Sequence, residues 1–153
     1  MEDLRHLHYF LGLQVLQTKE RIFISWFKYD CDLLRLFHME YCKPAPSPFQ
    51  YGVKLSATWT TPKVDATLYH QLVSNLLYLT HSCPKIYFSI FCVSRYMQTP
   101  HESHWKVVKI ILRYIRCTIQ FGIHYITRGT PLLFCFIGSI WDDDPDDWKS
   151  TTG

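Results

Sequence analysis

Residues 8–26, HYFLGLQVLQTKERIFISW, hold two β-rich apolar runs on either side of a polar break at Gln17–Arg21, a pattern that predicts a hairpin. From Phe27 to Phe37 the period changes. Phe27, Leu33, Leu34 and Phe37 stand among charged residues at helical spacing, which predicts a short amphipathic helix. The stretch KPAPSP follows, with Pro44, Pro46 and Pro48 at alternate positions. Proline there favours extended, polyproline-like backbone, and the chain to about residue 63 reads as irregular linker.

Asp65 precedes a second helical pattern that runs to about Ser82, with Leu68, Leu72, Val73, Leu76, Leu77 and Leu79 forming a wide apolar face. Pro84 suits the start of the next helix, Lys85–Met97. The third start, Thr99-Pro100-His101-Glu102, combines a capping-box spacing with proline at the first helical position, and predicts a helix over 100–117. Beyond Cys117 the pattern returns to strands in TIQFGIHYI and LLFCFI, separated by a turn at Gly129–Pro131. So few strands cannot bury both faces of a sheet. The class is α+β, with an N-terminal β-hairpin, a helical middle and an incomplete C-terminal β-sheet.

A chain of 153 residues is long enough for one core, and 48% apolar against 19% charged residues is the balance of a folded chain that leans on a partner surface. The net charge of +3 is unevenly spread. Residues 1–141 carry 15 Lys and Arg against 8 Asp and Glu, while Asp142, Asp143, Asp144, Asp146 and Asp147 crowd the tail. A basic body suits a polyanion such as nucleic acid, though ordinary soluble surfaces share it. Cys31, Cys42, Cys83, Cys92, Cys117 and Cys135 form no C-x-x-C pair, which favours reduced thiols in an intracellular protein over a disulfide framework or zinc site. No apolar run reaches the roughly 20 residues of a membrane span, and no secretory leader is seen, so no membrane partner is expected.

Three groups invite chemistry. Lys106, Lys109, Arg113 and Arg116 fall within one quarter of the circumference of the helix over 100–117, and the remaining arc, with Trp105, Val108, Ile111, Leu112 and Ile115, is apolar. Such a stripe can track a phosphate backbone; a solvated helix face has the same pattern. His101-Glu102-Ser103-His104 resembles the zinc motif H-E-x-x-H, but the position that needs the second His is Trp105, and polar residues at a helix start account for it better. The aspartate tail fails as a calcium loop, with Asp147 where glycine is needed and Gly153 where glutamate is needed. Adjacent aspartates also cannot converge from separate elements to hold two metals, so an acidic solvated loop is expected there.

The stretches LHYFLGLQV, CKPAPSP, LYHQLVSNLLYLTHSCP, SRYMQTPHESHWKVVKIILRYIRCT and WDDDPDDWKSTTG follow in the order and near the spacing of the polyprotein of copia-type retrotransposons. The whole chain resembles that family. The resemblance implies an end of the reverse transcriptase palm and start of the thumb at 1–42 and a proline-rich linker at 43–63. A helical thumb or connection follows at 64–118, and the truncated start of ribonuclease H at 119–153. It implies a parent enzyme that makes DNA on an RNA template with magnesium. The polymerase Tyr-x-Asp-Asp motif lies upstream of the matched stretch, and Met1 matches an internal position of the family.

Anchoring the tail on Trp141 and Lys149-Ser150-Thr151 puts Gly138 where the first ribonuclease H aspartate would stand and Ile140 at the next acidic position. His70, Cys83, Ser74, Cys117 and Trp148 also depart from the family's usual Arg or Gly, the mark of a decaying element. The chain is therefore expected to be a remnant without catalytic residues, metal site or cofactor, of nuclear-encoded or mitochondrial origin. Its expected partners are the missing parts of the parent and, weakly, an RNA/DNA hybrid or other nucleic acid. The alternatives are a non-sequence-specific nucleic-acid-binding module built on Lys106, Lys109, Arg113 and Arg116, and a nuclease using the tail aspartates.

Overall fold

The computed structural model describes residues 8–18, 21–50, 52–53, 55–56, 61–81, 83–126, 139–140 and 151–152. In chain order these form β1 (Tyr9–Phe10), β2 (Leu13–Gln17), β3 (Arg21–Ser25), α1 (Phe27–Leu36), α2 (Ala66–Leu79), a 3-10 turn at Pro84–Ile86, α3 (Tyr87–Ser94), α4 (Glu102–Thr118), β4 (Gly122–Ile126), β5 (Ser139–Ile140) and β6 (Thr151–Thr152). The α+β class holds. Strands β1 to β4 make one antiparallel sheet in sequence order, and β5 pairs with β6.

The hairpin of β2 and β3 stands where the pattern placed it, with Val15 opposite Ile24. The run before it divides in two. Leu11 and Gly12 have φ of 48° and 81°, and two left-handed residues in a two-residue loop match the right-handed twist of the flanking strands. Gly12 also lies against Trp26, where an added Cβ would sit 3.3 Å from the indole ring. Tyr78 of α2 donates its hydroxyl hydrogen to the Leu11 carbonyl and pins this turn to the helices.

The strand at Gly122–Ile126, expected to open a separate C-terminal sheet, instead pairs along the whole of β3, from Arg21 opposite Ile126 to Ser25 opposite Gly122. Its glycine explains the close approach. A Cβ at Gly122 would meet the Phe23 ring and stand 2.5 Å from the Ile24 carbonyl oxygen. The run LLFCFI lies outside the described residues.

Helix α1 ends in a left-handed His38, φ 54°, with Met39 N–H bonded to Leu34 O at 2.7 Å and His38 N–H to Arg35 O at 3.1 Å. These two bonds close the last carbonyls of the helix. Asp65 caps α2 as expected, its Oδ1 accepting from Thr67 N–H at 2.8 Å. The helix stops at Leu79, short of Ser82, because the Thr80 hydroxyl turns back to Leu77 O at 2.7 Å. Helix α3 stops at Ser94 rather than Met97, where the Ser94 hydroxyl turns back to Phe91 O at 2.8 Å. Pro100 also stands outside α4: the cap is His101, not Thr99, and the helix begins at Glu102.

The core lies among the four helices. Leu34, Tyr69, Leu72, Val73, Leu76, Ile86, Ile90, Val93, Val108, Ile111 and Leu112 are all essentially buried, and each large aliphatic side chain contributes about 1.5–3 kcal/mol. The Tyr69 hydroxyl, inside this core, donates to Val93 O at 2.8 Å and joins α2 to α3. Burial without that acceptor would cost the hydroxyl more than it gains. Among the described residues, no helix is long and apolar enough to cross a membrane.

Candidate nucleic-acid interface

The basic stripe runs along the polar face of α4, while the histidine pair stands at its N-terminus with His104 on the buried side, and the structure gives the two halves of the stripe different work. Arg113 donates through Nε to the Lys43 carbonyl at 2.7 Å, and Arg116 donates through Nε to the Glu40 carbonyl at 3.0 Å. Ala45 N–H bonds back to Arg113 O at 3.1 Å. Both arginines are half-buried. Their charges also reach the Cys42 thiol, which burial pushes up while Arg113 and Arg116 pull it down.

The far end of the same helix holds the far end of the same linker. His104 is fully buried. Its Nδ1 accepts from His101 N–H at 3.0 Å, so the proton sits on Nε2, which donates to Ser56 O at 3.1 Å. His101 Nδ1 donates to Thr61 O at 2.6 Å, and Glu102 N–H bonds Pro62 O at 2.9 Å. The described residues of the proline-rich stretch therefore form a strap along α4, fixed by Arg116 and Arg113 at one end and His104 and His101 at the other. Both nitrogens of His104 are used, which removes the pair as a metal site.

Lys106 and Lys109 remain as the exposed cations of the stripe. Lys106 pairs with Glu102 at 3.1 Å, one turn away, and Lys109 Nζ lies 5.7 Å from the centroid of the Trp105 ring. An exposed pair of this kind is worth at most about 0.5 kcal/mol, so Lys106 is easily redirected to a phosphate.

Ile140 lies in β5 opposite Thr151, and Gly138 and the aspartates from Asp142 to Asp147 are outside the described residues. Neither Gly138 nor Ile140 has a side chain able to ligate the magnesium that the resemblance implies for the parent. Among the described residues no group of three or more His, Cys, Asp or Glu is placed to hold a metal ion. Cys31, Cys42, Cys83, Cys92 and Cys117 are free thiols. Of the departures from the family pattern, His70 bonds Met97 O at 2.7 Å through Nε2.

Sequence reasoning missed one group, Asp30. Its position in the first turn of a helix reads as an ordinary favourable carboxylate, yet the fold turns it into an apolar cavity, and burial pushes it up to about 7. The signal lies in three dimensions only, since the cavity walls come from six separate elements, β3, α1, α2, the 3-10 turn, α4 and β4.

Over its whole length the chain is homologous to the retrovirus-related Pol polyproteins of copia-type transposons. That of transposon RE1 from Arabidopsis thaliana is 33% identical over 153 residues, covering 100% of this chain, and that of transposon TNT 1-94 from Nicotiana tabacum is 30% identical over 166 residues. The chain spans 10% and 12% of the length of these two relatives. An uncharacterised mitochondrial protein of Arabidopsis thaliana is 33% identical over 155 residues, and the chain covers 63% of it. No family model matches the chain. No solved structure matches it.

Proposed function

We propose that this chain is a catalytically silent piece of a copia-type Pol polyprotein, running from the end of the reverse transcriptase region into the first part of ribonuclease H. The observation that carries this reading is homology across the entire chain to only about a tenth of each transposon polyprotein. The parent activity is RNA-directed DNA synthesis. Both of its chemistries need carboxylates brought together from separate elements around two metals. Primer extension and cleavage of RNA in RNA–DNA hybrids, with magnesium or manganese, test the proposal on the purified chain. No turnover is expected. Cleavage lost specifically in Asp142→Asn or Asp144→Asn would overturn it.

A second reading, a sequence-blind nucleic-acid contact, is favoured by Lys106 and Lys109. They stand exposed on α4 while the neighbouring arginines are held by the strap. Replacing both lysines by alanine is expected to weaken binding to any duplex and to lower the salt slope by about 1–2. Binding without salt dependence, or indifferent to both lysines, would remove this reading.

A further inference from the structure

A cavity of about 270 Å³ opens between the sheet and the helices, with Ile24, Trp26, Asp30, Cys83, Tyr114 and Ile123 among its walls. It is fragment-sized, smaller than the sites that hold drug-sized ligands. Two polar groups on its apolar walls lack partners. The Asp30 carboxyl makes no hydrogen bond or ion pair among the described residues, and the Trp26 indole N–H is buried without an acceptor. Lys85 also lines the cavity, but it is exposed and does not pair with Asp30.

We propose that this cavity binds a small organic monocation, an ammonium group on an apolar body, with the ammonium at Asp30 and the body against Ile24, Tyr114 and Ile123. A purely apolar guest would leave the carboxyl unpaired, which is costly in such surroundings. An anion would meet the same carboxyl. A divalent metal needs several oxygens, and Asp30 is the one carboxylate among the wall residues. An ammonium brings one charge and up to three N–H donors, matching one carboxylate.

The remaining titratable neighbours fit this choice. Cys83 is pushed up first by burial and then by Asp30, and Tyr29 by burial, by Tyr78 and by Asp30, so each carries no charge to compete near neutral pH. Tyr114 is likewise pushed up, chiefly by burial. Only the ionised carboxylate attracts a cation. Because burial holds Asp30 near 7, affinity is expected to be highest above that pH and to fall by up to about tenfold per pH unit below it.

The test uses the full chain with phenethylamine and its neutral counterpart 2-phenylethanol, read by calorimetry and by the Trp26 indole signal in heteronuclear NMR. At pH 8 the amine is expected to bind at least about tenfold tighter than the alcohol, with the preference shrinking at pH 6. Asp30→Asn keeps the shape and is expected to bind both alike. Ile123→Trp, which fills the cavity and keeps the carboxyl, is expected to bind neither, and decides the matter if Asp30→Asn does not fold. Equal binding of the two probes to the unaltered chain would overturn the proposal. So would amine preference surviving in Asp30→Asn, as the tail aspartates alone would give, or amine binding that persists in Ile123→Trp.

Discussion

Replacing Arg113 and Arg116 together by methionine removes two hydrogen bonds that hold the strap, while keeping most of the side-chain bulk along α4. A hydrogen bond from a charged donor is worth about 1.5–3 kcal/mol when well buried. These arginines are half-buried and the Lys43 and Glu40 carbonyls can be rehydrated, so a value near 1 kcal/mol each is the better expectation. For a chain of this size about 1–2 kcal/mol lowers the melting temperature by about 2–8 °C. Lys106→Met with Lys109→Met, on the same helix face, removes one exposed ion pair and one exposed ring contact and should cost about 1–2 °C at most. Circular dichroism melts give the first measurement, and thermolysin cleavage within residues 41–56 gives the second. Faster cleavage is expected only in the arginine variant. If both pairs of substitutions shift the melt equally, or if the arginine pair leaves cleavage unchanged, the strap is not held as the geometry says.

His38→Gly should stabilise the chain by about 0.5–1 kcal/mol, because a left-handed position at a helix end strains a side chain more than glycine's extra freedom costs; a lower denaturant midpoint would refute it. Gly122→Ala should cost about 1–3 kcal/mol and expose the β3 and β4 amides, seen as faster hydrogen exchange at Ile22 and Ile24; unchanged exchange would mean that the sheet adapts at no cost. Asp30 adds a pH dependence. Its folded pKa of about 7 lies above the ordinary range of an aspartate, so between the two values only the folded state holds the proton, and the stability this gives is full below the ordinary value and gone once pH has risen through about 7. Asp30→Asn should therefore melt near the unaltered chain below about pH 4, moderately above it at about pH 5 and well above it at about pH 8, and a difference that does not grow with pH between about 4 and 7 would contradict the burial argument.

Much of this architecture was legible in local pattern. Asp65 announced the start of α2, Pro84 the turn into α3, and the polar break after Gln17 the β2–β3 hairpin, because each depends on residues close in sequence. The errors have local causes as well. A capping-box spacing from Thr99 competed with the one used, in which the His104 ring takes the part usually played by Glu or Gln. The split at Leu11–Gly12 was hidden by an apolar residue in a turn position. The basic stripe was legible as a stripe but not as two functions, since nothing near Arg113 or Arg116 in sequence shows that the carbonyls of Lys43 and Glu40 will lie beside them. The same holds for β4, whose partner is about a hundred residues earlier.

That long-range pairing sets an order of events during synthesis. β3 leaves the ribosome early, but the neighbour on its second edge is complete only when Ile126 has been made, after all four helices. Until then Ile22 and Ile24 present an unpaired edge, the kind of surface that nascent chains lose to aggregation or hand to chaperones. At a bacterial or eukaryotic elongation rate of about 5–20 residues per second, the exposure lasts on the order of five to twenty seconds. A genomic break that falls after codon 25 and before codon 122 would make that interval permanent.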